Sequence, residues 1–164
     1  MKVFDCITYY NEPMLFDLRL NMLDKYVDKF IVIEAKHSHS GKKKKLNFNI
    51  EDHKKFKDKI IYHVIENEPD GIIEINQSDT PINQSNQKRL NSLKRIEQSY
   101  DTATECLKDA SSEDIFTLND SDEIPKYENF DFKNIKNNIL IAKLKLCYFK
   151  FNLYYDLHPW YGTR

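Results

Sequence analysis

The chain of 164 residues holds only three glycines and three cysteines. So few glycines argue against the glycine-rich phosphate loops of the Walker or Rossmann type, in which the backbone must approach a phosphate closely. Cys6, Cys106 and Cys147 are odd in number, widely spaced, and show no CxxC or Cys/His ligand pattern. That disfavours a disulfide framework or structural zinc and fits a reducing compartment. Excess charge of one sign is also missing, since 25 Lys+Arg face 26 Asp+Glu for a net charge of −1. Charge-driven disorder and a nucleic-acid binder built on a broad basic face are both disfavoured. No apolar run approaches the ~20 residues of a membrane span, and Met1-Lys2-Val3-Phe4-Asp5 is no secretory signal. What is present is a hydrophobic fraction of 40% with ten Tyr and ten Phe, enough for a real core. One compact domain over residues 1–164, soluble and cytoplasmic, is expected.

Strand and helix signals alternate along the chain. Val3 to Tyr10 is β-branched and aromatic and reads as a strand. Asn11-Glu12-Pro13 opens a helix, with Pro13 at its first position. Met14 to Leu23 places Leu15, Leu18 and Met22 at helical spacing, with Arg19 on another face. Phe30 to Glu34 and Lys59 to Ile65 read as strands buried on both sides. Between them lie turn chemistry at His37 to Gly41, a lysine run from Lys42 to Lys45, and a short helix near Glu51 to Lys57. Glu66 to Asn86 reads as a long functional or mobile loop. A helix from Gln87 to about Ala110 sets Leu90, Leu93, Ile96 and Tyr100 near one face. Asp114 to Leu118 is a strand, and Ile139 to Tyr155 is β-rich. The alternation implies an α/β layer with a mostly parallel sheet flanked by helices. Ligands of such sheets gather at the carboxyl ends of the strands. Three polar clusters follow strand ends: Asn11-Glu12, Glu34 to Lys45, and Asn119 to Glu123.

The last cluster is the richest in chemistry. Asp120-Ser121-Asp122-Glu123 follows an apolar strand and is closed by Ile124-Pro125. Carboxylates so close repel one another unless a cation or solvent offsets the repulsion, and hard oxygen ligands suit Mg²⁺ or Mn²⁺. A solvated acidic turn with a proline stop fits the same residues. Glu34, ending a strand, can bind a ribose hydroxyl or neighbouring loop amides. Lys42 can set an ammonium near a diphosphate, although a run of lysines is commonly just solvated. Arg89, near the helix start, is a better phosphate- or base-binding candidate than Arg95. His37 and His39 read as surface residues.

Several segments in fixed order resemble glycosyltransferase family 17, the family of the bisecting N-acetylglucosaminyltransferase that acts on the β-mannose of N-glycans. They are Phe4 to Glu12, Asp17 to Asp24, Val27 to Glu34, His39-Ser40-Gly41-Lys42, Asn86-Gln87-Lys88-Arg89 and, above all, Asn119 to Pro125. The resemblance implies a GT-A-type fold, a UDP-linked sugar donor, Mn²⁺ or Mg²⁺, and inversion at the anomeric carbon. The sugar, GlcNAc or a similar hexose, would pass to a glycan hydroxyl. Asp120 and Asp122 match the family's Asp-x-Asp, and Glu123 the acidic residue after it. Asn11 and Glu12 match the polar pair that meets the nucleotide, and Ser40, Lys42 and Arg89 match polar positions of the family segments. Trp160 to Arg164 resembles an aromatic-Gly-Thr stretch that lies well before the end of the chain in relatives, so the acceptor side is expected to be short.

An inverting transferase needs a general base for the acceptor hydroxyl. The tail offers Asp156, with Glu123 as the other candidate. His158 can be a third metal ligand. Trp160 and Tyr161 can stack on an acceptor sugar or pack the C-terminal segment onto the sheet. The competing function is a nucleotide-sugar-binding module without turnover. A phosphatase or nucleotidyltransferase ranks lower, because neither an Asp-x-Asp nor a Gly/Lys-rich loop follows the first strand. The expected partners are a UDP-sugar and a glycan acceptor, with self-association covering a sheet edge.

Overall fold

The structure is a computed structural model that describes residues 1–135, 139–147 and 153–162, with 156–162 described by backbone alone. Apolar residues in runs build its centre. Strands β1 (Val3–Thr8), β2 (Lys29–Ala35), β3 (Ile60–Ile65) and β4 (Ile115–Asp120) form one parallel sheet in the order β3-β2-β1-β4. Helix α1 (Pro13–Leu23) links β1 to β2, a 3₁₀ segment (Ile50–Lys59) precedes β3, and the long helix α2 (Pro81–Glu105) carries the chain across to β4. A second, antiparallel pair joins β5 (Ala142–Cys147) to β6 (Tyr154–Gly162). The α/β architecture with a parallel sheet flanked by helices is the one expected from the alternation of signals.

Period-two alternation gives the sheet two apolar faces. Val3, Ile7, Phe30 and Val32 meet Phe16, Leu20 and Leu23 of α1 together with Phe48 and Phe56. Cys6, Ile31 and Ile33 face the α2 side, where Ala103, Phe116 and Leu118 join them. On the first face Tyr9, Phe16 and Phe48 touch edge to face, with ring centroids 5.4–5.9 Å apart.

A buried ion pair interrupts that face. Arg19, fully buried, donates from Nε and Nη2 to the two carboxylate oxygens of Asp5 at 2.6 and 2.7 Å. Thr117 Oγ1 donates to Asp5 Oδ1 at 2.9 Å, so the pair ties α1 to both β1 and β4. Burial works against the charge on Arg19, but the Asp5 carboxylate outweighs it and holds the pKa above its ordinary value. This revises the α1 face drawn from periodicity. The helix buries Phe16, Arg19, Leu20 and Leu23, whereas Leu18 and Met22 are exposed.

Two further expectations change. Strand β3 is an edge strand that alternates, with Ile61 and His63 exposed, rather than a strand buried on both sides. Helix α2 starts at Pro81, six residues before the expected Gln87, with the Thr80 hydroxyl accepting the Asn83 amide at 3.4 Å. Its buried face is Asn91, Arg95, Ser99 and Ala103, and Leu90 and Leu93 are exposed. The cause is its partner. The segment 66–80 runs against α2 as a strap held by polar side chains: Asn91 bonds both the amide and the carbonyl of Ile73 at 2.7 Å, Gln98 donates to the Asn67 carbonyl, and Gln87 donates to Asp79. Backbone, unlike side-chain methyls, demands polar partners when covered.

Asp5→Asn leaves the Arg19 charge buried and poorly paired, and is expected to cost about 3–5 kcal/mol in urea unfolding. Arg19→Met/Asp5→Leu should recover a large part of that loss; a double variant as unstable as the single would refute the charge-based account. Tyr9 and Tyr127 are pushed up to about 12, chiefly by burial and then by nearby carboxylates. Their neutral phenols are favoured in the native state, so this stabilisation is complete below the unfolded value near 10 and is lost as pH rises towards 12. Tyrosine absorbance should therefore titrate late for these two, coinciding with loss of structure between those pH values.

Candidate active site at the carboxyl end of the sheet

Chain order reverses between β1 and β4, because β2 and β3 extend the sheet on one side of β1 while the chain crosses back to add β4 on the other. A crevice forms at such a switch point. Here it is a cleft of about 510 Å³, walled by Thr8 at the end of β1 and Glu12 beyond it, by His37 to Ser40 after β2, by Asp120 at the end of β4 with Ser121 and Asp122 beyond it, and by Arg95 and Ser99 from α2.

The acidic turn is aimed from beneath. Register pairs Thr8 with Asp120, and Thr8 Oγ1 donates to Asp120 Oδ1 at 3.4 Å. Ser121, buried between the two aspartates, donates to the Thr8 carbonyl at 3.0 Å. The Asp120 amide donates to Glu123 Oε2 at 3.1 Å, which closes the turn on itself. From the core, Arg19 Nη1 donates to the carbonyls of Glu123 and Asp120 at 2.9 and 3.3 Å. The buried arginine thus grips the main chain of the turn and leaves the Asp120 and Asp122 carboxylates on the cleft side.

Of the other sequence candidates, Glu12 and Ser40 stand on the cleft wall. Glu12 Oε2 accepts the Tyr10 and Asn11 amides at 3.0 Å each and a longer bond from Ser121 Oγ, so it braces the β1 loop against the acidic turn. Asn11, Lys42 and Arg89 are exposed and lie off the wall; the wall's cations are Lys44 and Arg95 instead. Glu34 is fully buried, and its carboxylate takes Lys44 Nζ, the Asn47 and Phe48 amides and the Tyr62 hydroxyl. Of its two readings, the loop-amide one describes it, and a ribose has no access. Glu123 spends an oxygen inside the turn and is also off the wall. Asp156, His158, Trp160 and Tyr161 have side chains outside the described residues.

Sequence reasoning missed Arg95, Ser121 and His37. His37 is buried rather than on the surface, and with His39 it lines the cleft. The signal for Arg95 was its four-residue spacing from Asn91 and Ser99, a polar row that reads as a solvated face until the strap is known. Among the described residues no group of three or more His, Cys, Asp or Glu side chains is arranged to hold a metal. Two cleft-facing carboxylates still suit a hard cation, since Mg²⁺ commonly takes one or two carboxylates and fills its sphere with water and substrate phosphates.

A parallel sheet with an acidic turn in its switch-point cleft has the architecture of α/β proteins whose ligands gather at the strand ends. The model of glycosyltransferase family 17 matches residues 1–163, and the chain belongs to that family. It is a glycosyltransferase, and its substrates are a sugar donor and an acceptor. No curated protein and no solved structure matches the chain. Among the described residues no helix is long and apolar enough to cross a membrane.

Asp122 is exposed beside another carboxylate. Asp122→Asn is expected to leave unfolding free energy within about 0.5 kcal/mol of wild type, as surface substitutions do. Ser121→Ala, which removes a buried donor, should cost about 1 kcal/mol. Equal effects in denaturant titrations would mean that Ser121 does not hold the turn.

Proposed function

We propose that the protein transfers a sugar, GlcNAc or a similar hexose, from a UDP-sugar to a hydroxyl of a glycan acceptor, with inversion, on a GT-A-type scaffold. The observation that carries this reading is the placement of Asp120 and Asp122 on the cleft at the β1/β4 switch point, in a turn gripped through the Asp120 and Glu123 carbonyls. These two residues would hold Mn²⁺ or Mg²⁺. When bound, the ion offsets the charge that grows on the leaving diphosphate.

The chain's own residues supply position. Thr8 and Ser121 fix the height and direction of the acidic turn, and Glu12 keeps the β1 loop against it. Lys44 places a cation on the cleft wall, although Glu34 already balances much of its charge. Holding donor and acceptor in one orientation lowers the entropic part of the barrier. Asp156 is the proposed base that takes the acceptor hydroxyl's proton as that oxygen attacks the anomeric carbon and the donor's glycosyl–phosphate bond breaks. His158 is proposed beside the metal and Trp160 and Tyr161 against the acceptor sugar, all from the sequence.

Calorimetry of UDP with Mn²⁺ and with EDTA tests the donor site. Binding is expected with the metal, and Asp120→Ala/Asp122→Ala should weaken it at least ~10-fold, or 1.4 kcal/mol. Binding untouched by EDTA would remove the metal from the proposal. Absence of UDP binding in both conditions would overturn the UDP assignment and send the search to GDP, CMP and dTDP.

A further inference from the structure

Across the cleft from the acidic turn, the His37–Gly41 loop forms a wall that carries two serine hydroxyls and two imidazoles. Its own bonds run from the Gly41 amide to the Ser38 carbonyl at 2.8 Å, from the Ser38 amide to the Lys42 carbonyl at 2.9 Å, from the Lys42 amide to Ser38 Oγ at 3.2 Å and from the Lys44 amide to the Lys36 carbonyl at 2.9 Å, and the hydroxyls of Ser38 and Ser40 meet at 2.9 Å. A bridge between His37 and Lys43 closes its base, and α2 holds its tip. Arg95, only 7% exposed, donates from Nη1 to the His39 carbonyl at 3.1 Å. The same guanidinium lies so close over Gly41 that a Cβ built there would stand 2.5 Å from Nη2 and 2.9 Å from Cζ. Gly41 also has φ +84°, a backbone region that side chains disfavour. Arg95 is in turn locked by Glu68 of the strap, through Nε to Oε2 at 2.6 Å and Nη2 to Oε1 at 3.2 Å. Strap, helix and wall therefore form one chain of contacts, Glu68 to Arg95 to His39 and Gly41.

We propose that Arg95, oriented by Glu68 and seated on Gly41, is a positioning residue that sets the His37–Gly41 wall and through it the cleft's affinity for the donor. The donor part rests on the UDP-sugar reading above; the wall part does not. A lysine would keep the charge but not the planar fork that serves Glu68 and the His39 carbonyl together. Glycine at 41 thus answers two demands, the positive φ of the turn and the close seat of Arg95.

The test compares wild type, Arg95→Lys, Gly41→Ala and the double variant in two measurements. The first is amide hydrogen exchange in the protein without ligand. Residues 36–43 should exchange about ten-fold faster in Arg95→Lys, while β2 exchanges as in wild type. An unchanged 36–43 segment, or an equal rise throughout β2, would overturn the positioning role. The second is UDP affinity with Mn²⁺, expected to fall about ten-fold in Arg95→Lys while Tm moves by only a few degrees. Arg95→Lys should cost less than half as much in the Gly41→Ala background, because residues sharing a contact are not additive. Full additivity, or unchanged affinity in all three variants, would overturn the link to the donor. If wild type itself binds no UDP, the donor reading fails, and the exchange measurement alone decides the role of Arg95.

Discussion

The bidentate contact between Arg19 and Asp5 is the constraint on which the rest of the structure depends. It sits at 0% and 1% exposure between α1 and the sheet, in a layer otherwise made of aromatic and aliphatic side chains. Such a pair contributes little net stability compared with an apolar pair of similar volume, because desolvation offsets the attraction. Its value here is directional. The remaining nitrogen of the same guanidinium reaches out of the core to the carbonyls of Asp120 and Glu123, so one buried cation connects the centre of the fold to the rim of the cleft. An apolar residue could fill the space, but it could not place the turn.

The two sides of the cleft repeat this logic with different parts. On one side Arg19 holds an acidic turn by its main chain; on the other Arg95 holds a serine-histidine wall by its main chain. In both cases the arginine is oriented by a carboxylate from another element, Asp5 or Glu68. Side chains on the cleft wall share in this work: Thr8 bonds Asp120, Glu12 takes the Tyr10 and Asn11 amides, and the Ser38 and Ser40 hydroxyls meet.

How much of this was legible follows from what each residue packs against. The apolar runs of β1, β2 and β4 and the turn Asn119 to Glu123 were readable because their partners are sheet neighbours, which obey period-two alternation. The α1 face was misread because Arg19 counts as a surface residue unless its partner is known, and that partner, Asp5, lies fourteen residues away. The α2 face failed for a related reason. Leu90 and Leu93 mark an apolar stripe, yet the helix buries Asn91 and Arg95, which bond the Ile73 backbone and the Glu68 carboxylate of the strap. Periodicity reports apolar partners and is silent about backbone ones. Nearness to the expected helix start favours Arg89, whereas Arg95 is the one that meets Glu68 and the His39 carbonyl. Glu34 shows that the end of a strand can be a structural terminus, since its carboxylate gathers a loop, an ammonium and a phenol before any ligand arrives.

The polar seam between the strap and α2 has a thermal consequence. Separating α1 from the sheet would expose Phe16, Leu20 and Leu23, and wetting such surface carries a large positive heat-capacity change. Lifting residues 66–80 from α2 would instead expose amides, carbonyls and a guanidinium alongside the half-buried Ile72, Ile73 and Ile75, and the polar and apolar parts contribute in opposite senses and offset one another. The two motions therefore respond differently to cooling and warming: detachment of α1 follows the curved stability profile of a hydrophobic core, whereas opening of the strap has a free energy nearly linear in temperature. The cleft wall anchored through Glu68 inherits that second behaviour, so its coupling to the strap changes steadily with temperature rather than passing through an optimum.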